Sequence, residues 1–209
     1  ADVVGAVIEV ASGMRFGDFL KKEIFEPLGM KDTDFWVPAE KQDRLAKVYD
    51  CREGQPSVRY LDNNLGIQND MAYRPAYEAG GAGLASTIDD YAKFTQMLLN
   101  GGTYNGVQIL RPATVKFLGG HTLSAVQQAG FDNWIGLEGF SYGNLMRVLV
   151  DPTRAVTLGS KGEFGWDGWL GCYMEVVPEQ NMTFLMMTQK KDAGTYTLSR
   201  KIRNIIFSE

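Results

Sequence analysis

The chain has 209 residues, enough for one large domain or one and a half, with a substantial core. Its 44% hydrophobic and 22% charged residues are ordinary globular usage and argue against disorder. A formal net charge of −4 offers no basic surface for phosphates, so we expect no nucleic-acid partner, and no apolar run is long enough to span a membrane.

The first third of the chain predicts two helices. Asp2–Ser12 carries apolar residues at helical spacing and is followed by Gly13, which suits the left-handed position after a helix. A second helix is predicted over Phe16–Phe25. It should end before Pro27, because proline disfavours helical geometry at the residue that precedes it.

Residues 37–79 show little periodicity and are predicted to form a long irregular excursion, which is typical of functional loops or lids. A helix is then predicted over Ile88–Leu99, with Thr87 and Asp90 at capping-box spacing. Two shorter elements follow, a strand and a helix that a proline initiates: Gly106–Leu110 and Ala113–Leu118.

The last third predicts strands and a final helix. The strand-like segments are Leu145–Val150, Leu170–Val177 and Met182–Thr188, and the last two are close enough for an antiparallel hairpin. An amphipathic helix is predicted over Tyr196–Phe207. Its basic run Arg200–Arg203 is expected on a solvated face, and four aliphatic side chains are expected inward: Leu198, Ile202, Ile205 and Ile206.

Helices followed by strands and a closing helix indicate an α+β fold. The expected organisation is a mostly helical portion over residues 1–120, which includes the excursion, and an antiparallel sheet portion over residues 121–209. Together they are expected to form one incomplete catalytic domain.

The glycine-dense segment Gly162–Gly171 is the most informative part of the chain. It is predicted to be a turn that delivers two tryptophans, Trp166 and Trp169, to the start of a strand. Glycine lets a backbone approach a ligand closely, and strand N–H groups can stabilise a developing anion. The segment therefore indicates one wall of an acyl-transfer site.

Several segments together resemble the class C β-lactamase-like serine hydrolases, a family of esterases, peptidases and lactamases. They are Val4–Glu9, Ser12–Met14, Ile24–Thr33, Gly80–Thr87, Asp90–Tyr91, Met97–Gly102 and Gly162–Gln189. The resemblance implies a β-lactamase and penicillin-binding-protein-like fold, an antiparallel sheet flanked by helices, with the N-terminal part of that fold missing here.

The resemblance also implies acyl transfer by three motifs: Ser-x-x-Lys, Tyr-x-Asn or Tyr-x-Ser, and a third motif of Lys-Thr-Gly type on a strand. The third motif maps to Trp166-Asp167-Gly168, which would bind the substrate, and the backbone N–H of Trp169 would supply one oxyanion donor. Trp166 in place of a cation shifts the expected substrate from lactams and peptides toward neutral esters.

No serine of this chain is followed three residues later by lysine. In family order the nucleophile lies upstream of a helix such as Ala1–Ser12, so the chain alone is expected to be inactive without its missing N-terminal segment. The implied substrate is a small-molecule ester, lactam or peptide, with no metal or organic cofactor. The alternatives are a non-catalytic penicillin-binding-like or ligand-binding module, and a structural fragment that needs its N-terminal half.

Other candidate residues favour structural roles. Tyr142-Gly143-Asn144 matches the second motif by letters but lies outside the expected helical context, and His121 is placed at a helix end. Glu163 lies near the predicted site in sequence and is either a residue that orients the substrate or a solvated loop acid, and the sequence does not favour the first. Cys51 and Cys172 are interpreted as reduced packing thiols. The sequence does not indicate a cellular compartment.

Overall fold

The structure is a computed structural model that describes residues 1–63, 67–193 and 198–208. These residues fall into two compact units, Ala1–Phe94 with Gln189–Lys191, and Thr95–Thr188 with the described part of Asp192–Glu209. Among these residues, no helix has the length and apolar character needed to cross a membrane.

The first unit begins with helix α1, Asp2–Ser12, which confirms the predicted bounds. Gly13 ends it with φ 68°, a left-handed conformation that glycine adopts without strain, and its N–H donates to the Glu9 carbonyl.

The second predicted helix does not end before Pro27, so that prediction was wrong. Three helical pieces follow one another: α2 (Phe16–Leu20), a π-helix (Lys21–Phe25) and α3 (Glu26–Leu28). The π-helix shifts the hydrogen-bonding register and places Pro27 in the first turn of α3, where its missing N–H costs nothing.

The predicted excursion contains a 3-10 helix, Ala39–Arg44, and a short antiparallel ribbon of β1 (Tyr49–Asp50) and β2 (Val58–Arg59). Helix α4 then covers Ile88–Leu99, as predicted. Its start also follows the sequence signal, because the Asp90 N–H donates to the Thr87 hydroxyl at 3.2 Å.

The second unit is built on a five-stranded antiparallel meander. A two-stranded ribbon and two helices precede the sheet, and one helix follows it. The elements are β3 (Thr103–Tyr104), β4 (Val107–Gln108), α5 (Pro112–Gly120), α6 (Ala125–Phe131), β5 (Phe140–Gly143), β6 (Met146–Leu149), β7 (Phe164–Asp167), β8 (Tyr173–Val177), β9 (Met182–Met186) and α7 (Leu198–Ile206). The spatial order of the large sheet is β5-β6-β7-β8-β9, which makes β7 its central strand.

The sheet confirms some strand predictions and corrects another. The predicted hairpin is β8 and β9, joined by a 3-10 turn, Pro178–Gln180, and by Asn181 in the left-handed conformation. The turn predicted over Gly162–Gly171 is wrong at Phe164–Asp167, because these residues form strand β7. Pairing on both sides stabilises this glycine-containing stretch as a strand despite its weak intrinsic preference.

The inward face of α7 also differs from the prediction. Leu198 and Ile205 are 53% and 65% exposed, whereas the buried side chains are Ser199 and Arg203. A buried arginine is tolerated when acidic partners neutralise it, and Arg203 has two such partners, Glu163 just before β7 and Glu175 on β8. Residues 196 and 197, which the sequence assigned to this helix, lie outside the described residues.

Candidate active site

The segment that maps to the third motif lies at the end of the central strand. Trp166 and Asp167 are the last two residues of β7 and pair with Met174 and Tyr173 of β8. On the other side, β7 pairs with β6 through Gly165 opposite Arg147. A central strand with neighbours on both sides holds its end rigidly, as a catalytic backbone donor requires.

A tight turn follows the strand. The Gly168 N–H donates to the Cys172 carbonyl at 2.7 Å, and the Gly171 N–H donates to the Gly168 carbonyl at 2.9 Å. The Gly168 amide is therefore bound inside the turn, and Trp169 carries the next backbone N–H along the chain.

The two glycines of this turn differ in what the fold demands of them. Gly171 has φ 85°, and a Cβ added there would lie 2.8 Å from the Cβ of Ala193, so a side chain would be strained. A Cβ added at Gly168 would come no closer than 3.8 Å to Cys172, an ordinary contact. Packing within the chain thus leaves room beside Gly168.

Asp167 is the partner of a buried cation. The Arg147 guanidinium donates to the Asp167 carboxylate at 2.7 Å, and the side chains of the two residues are 3% and 16% exposed. The same guanidinium lies 4.5 Å from the ring centroid of Tyr173. Such an ion pair is strong because little water competes for it, and it connects β6 to the end of β7.

Trp166 belongs to a group of four packed rings, Phe131, Trp134, Tyr142 and Trp166, which we call the aromatic cluster. The edge of Tyr142 meets Trp166 with centroids 5.1 Å apart and planes at 68°, a favourable edge-to-face geometry. Arg147 adds a cation 5.8 Å from the Trp166 ring. The ring of the third-motif tryptophan is therefore held from two directions.

Trp169 makes different contacts. Its indole Nε1–H donates to the Asp192 carboxylate at 2.5 Å, and its carbonyl accepts from the Ala193 N–H at 3.2 Å. The sequence predicted that Trp166 and Trp169 both belong to one wall of the acyl-transfer site, but in the structure the two side chains contact different partners. The contacts of Trp169 fasten the turn to the chain that follows β9.

Glu163 is buried, which excludes the solvated loop acid that was one of its two alternatives. Arg203 forms ion pairs with Glu163 at 2.6 Å and, at closer range, with Glu175, and it donates to the Tyr173 hydroxyl at 3.0 Å. Burial and the neighbouring Glu175 charge raise the pKa of Glu163 to about 8, with Arg203 opposing the shift. Glu163 and Glu175 thus share one cation, and burial beside a second carboxylate favours the protonated form of Glu163.

Sequence reasoning missed three charged residues that organise this region: Arg147, Glu175 and Arg203. Two of them lie between apolar strand neighbours, in Met146-Arg147-Val148 and Met174-Glu175-Val176, whereas Arg203 lies on a helix between Ile202 and Asn204. A lone charge within an apolar strand is a usable signal, because burying it is costly unless an opposite charge faces it.

The other sequence candidates lie as follows. Tyr142 and Gly143 are on β5, and the Asn144 side-chain amide donates to the Phe117 carbonyl at 3.1 Å. His121 caps the end of α5, with its ring 5.2 Å from that of Phe117. Cys51 and Cys172 are not joined in a disulfide in the described part of the chain.

The comparison with known families agrees with the resemblance that the sequence indicates. The Beta-lactamase family profile matches residues 1–205, so the chain belongs to the β-lactamase family. The predicted β-lactamase and penicillin-binding-protein-like fold, with helices beside an antiparallel sheet, is thereby confirmed.

Two relatives indicate the range of activities in the family. Esterase EstB from Burkholderia gladioli is 30% identical over 92% of this chain and 49% of its own length. A putative D-alanyl-D-alanine carboxypeptidase of Escherichia coli K12 is 29% identical over 90% of this chain and 43% of its own length. The chain spans about half the length of the curated relatives that it matches.

The fold is also that of solved enzymes. The structure of EstCE1, a hydrolase with promiscuous acyltransferase activity, superposes with a TM-score of 0.78 at 24% identity. The match covers 98% of this chain and 54% of that enzyme. At this identity the likeness concerns the fold alone.

Proposed function

We propose that this chain supplies the third-motif half of a serine hydrolase that acts on neutral small-molecule esters through an acyl-enzyme. The nucleophilic serine and its lysine are contributed by chain outside these 209 residues, since no Ser-x-x-Lys occurs within them. On its own, the chain is then inactive.

The observation that carries the proposal is the position of Trp166-Asp167-Gly168. The first two residues end the central strand of the sheet, and the third opens a tight turn. An oxyanion donor must be held about 2.7–3.1 Å from the developing negative charge, on a backbone that does not move during the reaction. Pairing of Trp166 and Asp167 with β8, pairing of Gly165 with β6 and the Arg147–Asp167 ion pair supply that rigidity.

In the proposed reaction the serine attacks the ester carbonyl while the lysine–tyrosine pair of the full enzyme takes its proton. The Trp169 backbone N–H, together with the N–H of the serine itself, stabilises the resulting oxyanion. The alcohol leaves, and water then hydrolyses the acyl-enzyme. The space beside Gly168 accommodates the acyl group next to the strand.

Two observations support esters over lactams and peptides. Trp166 stands where the family pattern often has a cation, so the motif offers no positive side chain to a substrate carboxylate. Arg147, the cation beside it, is buried and paired with Asp167. The second observation is that the relative EstB is named as an esterase.

The test is to incubate the 209-residue chain and the full-length gene product with 4-nitrophenyl butyrate and with a fluorescent penicillin. Intact-mass spectrometry then detects covalent adducts, and absorbance follows ester hydrolysis. We expect hydrolysis and a serine adduct for the full-length protein and neither for the chain alone.

An adduct on any serine of the 209-residue chain would overturn the proposal that the nucleophile lies outside it. Penicillin acylation of the full-length protein without ester turnover would support a penicillin-binding protein instead. Saturable ligand binding with no adduct in either protein would support a non-catalytic module.

A further inference from the structure

The aromatic cluster presents an apolar surface to solvent beside the third motif. Trp134 is 57% exposed, and Phe131 stacks behind it with ring centroids 5.9 Å apart and planes at 23°. Trp166 lies 6.4 Å from Trp134, so the exposed indole adjoins the motif itself. Ile135 extends the exposed apolar surface. Apolar groups of this size gain free energy when a ligand removes them from water.

The rings of the aromatic cluster also support one another. Phe131 contacts both Trp134 and Tyr142, with the second pair of centroids 5.8 Å apart, and Tyr142 in turn supports Trp166. The Arg147 guanidinium braces the Trp166 ring. Binding to rings that are already held in place loses little side-chain entropy, which favours affinity.

The electrostatics of the cluster select for a neutral ligand. Arg147, the cation in contact with Trp166, is buried and neutralised by Asp167 at 2.7 Å. A carboxylate placed on these rings would therefore lose its hydration without gaining an available cation in exchange.

We propose that the aromatic cluster binds an aromatic group of the ester substrate, with Trp134 as the specificity-determining residue. The inference rests on the proposed function, because it takes the Gly168–Trp169 backbone as the place of the ester carbonyl. Trp166 and Gly168 are two residues apart, about 7 Å along an extended strand. A small aryl ester can therefore cover Trp166 with its ring while its carbonyl lies at the turn.

Binding can be measured on this chain without catalysis. The chain has four tryptophans, and each indole N–H gives its own signal in an ¹⁵N-correlated NMR spectrum. Methyl benzoate is the neutral aryl probe, benzoate is its charged counterpart, and methyl acetate lacks the ring. We expect methyl benzoate to shift the Trp134 and Trp166 signals saturably while the Trp36 signal stays in place, and we expect the two control ligands to shift neither.

Matched variants of α6 and its C-terminal flank locate the site. Trp134→Ala should weaken methyl benzoate binding about tenfold, because it removes an aromatic contact and its apolar area. Trp134→Phe keeps a ring and should lose less. Val126→Ala removes a side chain that is 86% exposed on α6 and should leave binding unchanged.

Equal effects of Trp134→Ala and Val126→Ala would overturn the inference, as would a titration in which Trp36 shifts together with Trp134. The inference would also be overturned if methyl benzoate left the Trp134 and Trp166 signals unshifted. A different result would separate the two proposals. If methyl benzoate binds saturably at these two residues but the full-length protein hydrolyses no ester, the proposed function is wrong and the aromatic binding site is supported.

Discussion

The Arg147 guanidinium donates to the Asp167 carboxylate across 2.7 Å and so joins β6 to the last residue of β7. Gly168 follows Asp167 directly and opens the turn that carries the proposed oxyanion donor. The ion pair therefore fixes the backbone immediately before the position where the reaction needs a stationary N–H.

Removing one member of this pair leaves the other charge buried and unpaired. We expect Arg147→Met to lower the free energy of unfolding by about 3 kcal/mol, because breaking a buried ion pair strands its partner. Urea denaturation followed by circular dichroism measures the loss.

The double variant Arg147→Met/Asp167→Asn should recover most of that loss, since neither charge then remains. Arg154→Met is the matched control, because Arg154 is exposed and pairs with Asp132 at 3.6 Å, and it should change stability by less than about 0.5 kcal/mol. A double variant as unstable as Arg147→Met alone would show that packing, and not charge, explains the effect.

Glu163 should make stability depend on pH. Its pKa is raised by burial and by Glu175 to about 8, above its ordinary value of 4.5, so the folded state holds a proton that the unfolded state has released. The stabilisation is fully present below pH 4.5 and is lost as pH rises through about 8. Between these limits the contribution falls by at most about 1.4 kcal/mol per pH unit.

Denaturation at several pH values between 5 and 8 measures this slope. Glu163→Gln cannot ionise and should flatten the slope, whatever its effect on stability at a single pH. Glu179→Gln, at an exposed acid of the β8–β9 turn, should leave the slope as it is. An unchanged slope in Glu163→Gln would assign the proton to another member of the buried group.

Alanine substitutions at Gly168 and Gly171 should have different effects, the first on activity and the second on stability. Gly168→Ala meets no neighbour closer than 3.8 Å, so we expect normal thermal unfolding but a large loss of ester hydrolysis in the full-length protein. Gly171→Ala forces a side chain into a left-handed conformation, at about 1–3 kcal/mol, and should lower the melting temperature. Full activity in Gly168→Ala would indicate that no acyl group occupies the space beside it.

Arg203 should be among the most sensitive positions of α7. Arg203→Met leaves Glu163 and Glu175 buried without their cation, and we expect a loss of at least about 3 kcal/mol in urea denaturation. Lys201→Met, two residues away on the exposed face, should change stability by less than about 0.5 kcal/mol. Similar losses in both variants would contradict the buried network.

Elements with local signals were predictable from the sequence. Gly13 marks the end of α1, Thr87 marks the start of α4, and the turn that ends at Asn181 joins β8 to β9. Each signal acts within a few residues, where propensity and hydrogen bonding of the chain decide the structure.

Elements that depend on distant partners were not predictable in the same way. Strand β7 exists because β6 and β8 pair with it, whereas Gly165 within it and the glycines that flank it favour a turn. Arg203 faces inward because Glu163 and Glu175, 40 and 28 residues away in the chain, converge on it. Hydrophobic periodicity predicts that aliphatic residues face the core. It does not predict that acidic residues far away in the chain will meet a buried arginine.

Tyr142 should have a structural and not a catalytic role, although it lies in a match to the second motif. Tyr142-Gly143-Asn144 matches the second motif by letters, yet Tyr142 lies on strand β5 with its ring edge against Trp166. We expect Tyr142→Phe to keep this ring contact and to leave ester hydrolysis by the full-length protein within about twofold, because only the hydroxyl is removed. Tyr142→Ala removes the ring as well and should raise KM for aryl esters more than for alkyl esters. A Tyr142→Phe variant that loses a hundredfold or more in kcat would instead assign the hydroxyl to proton transfer, since general acid–base groups contribute about that much.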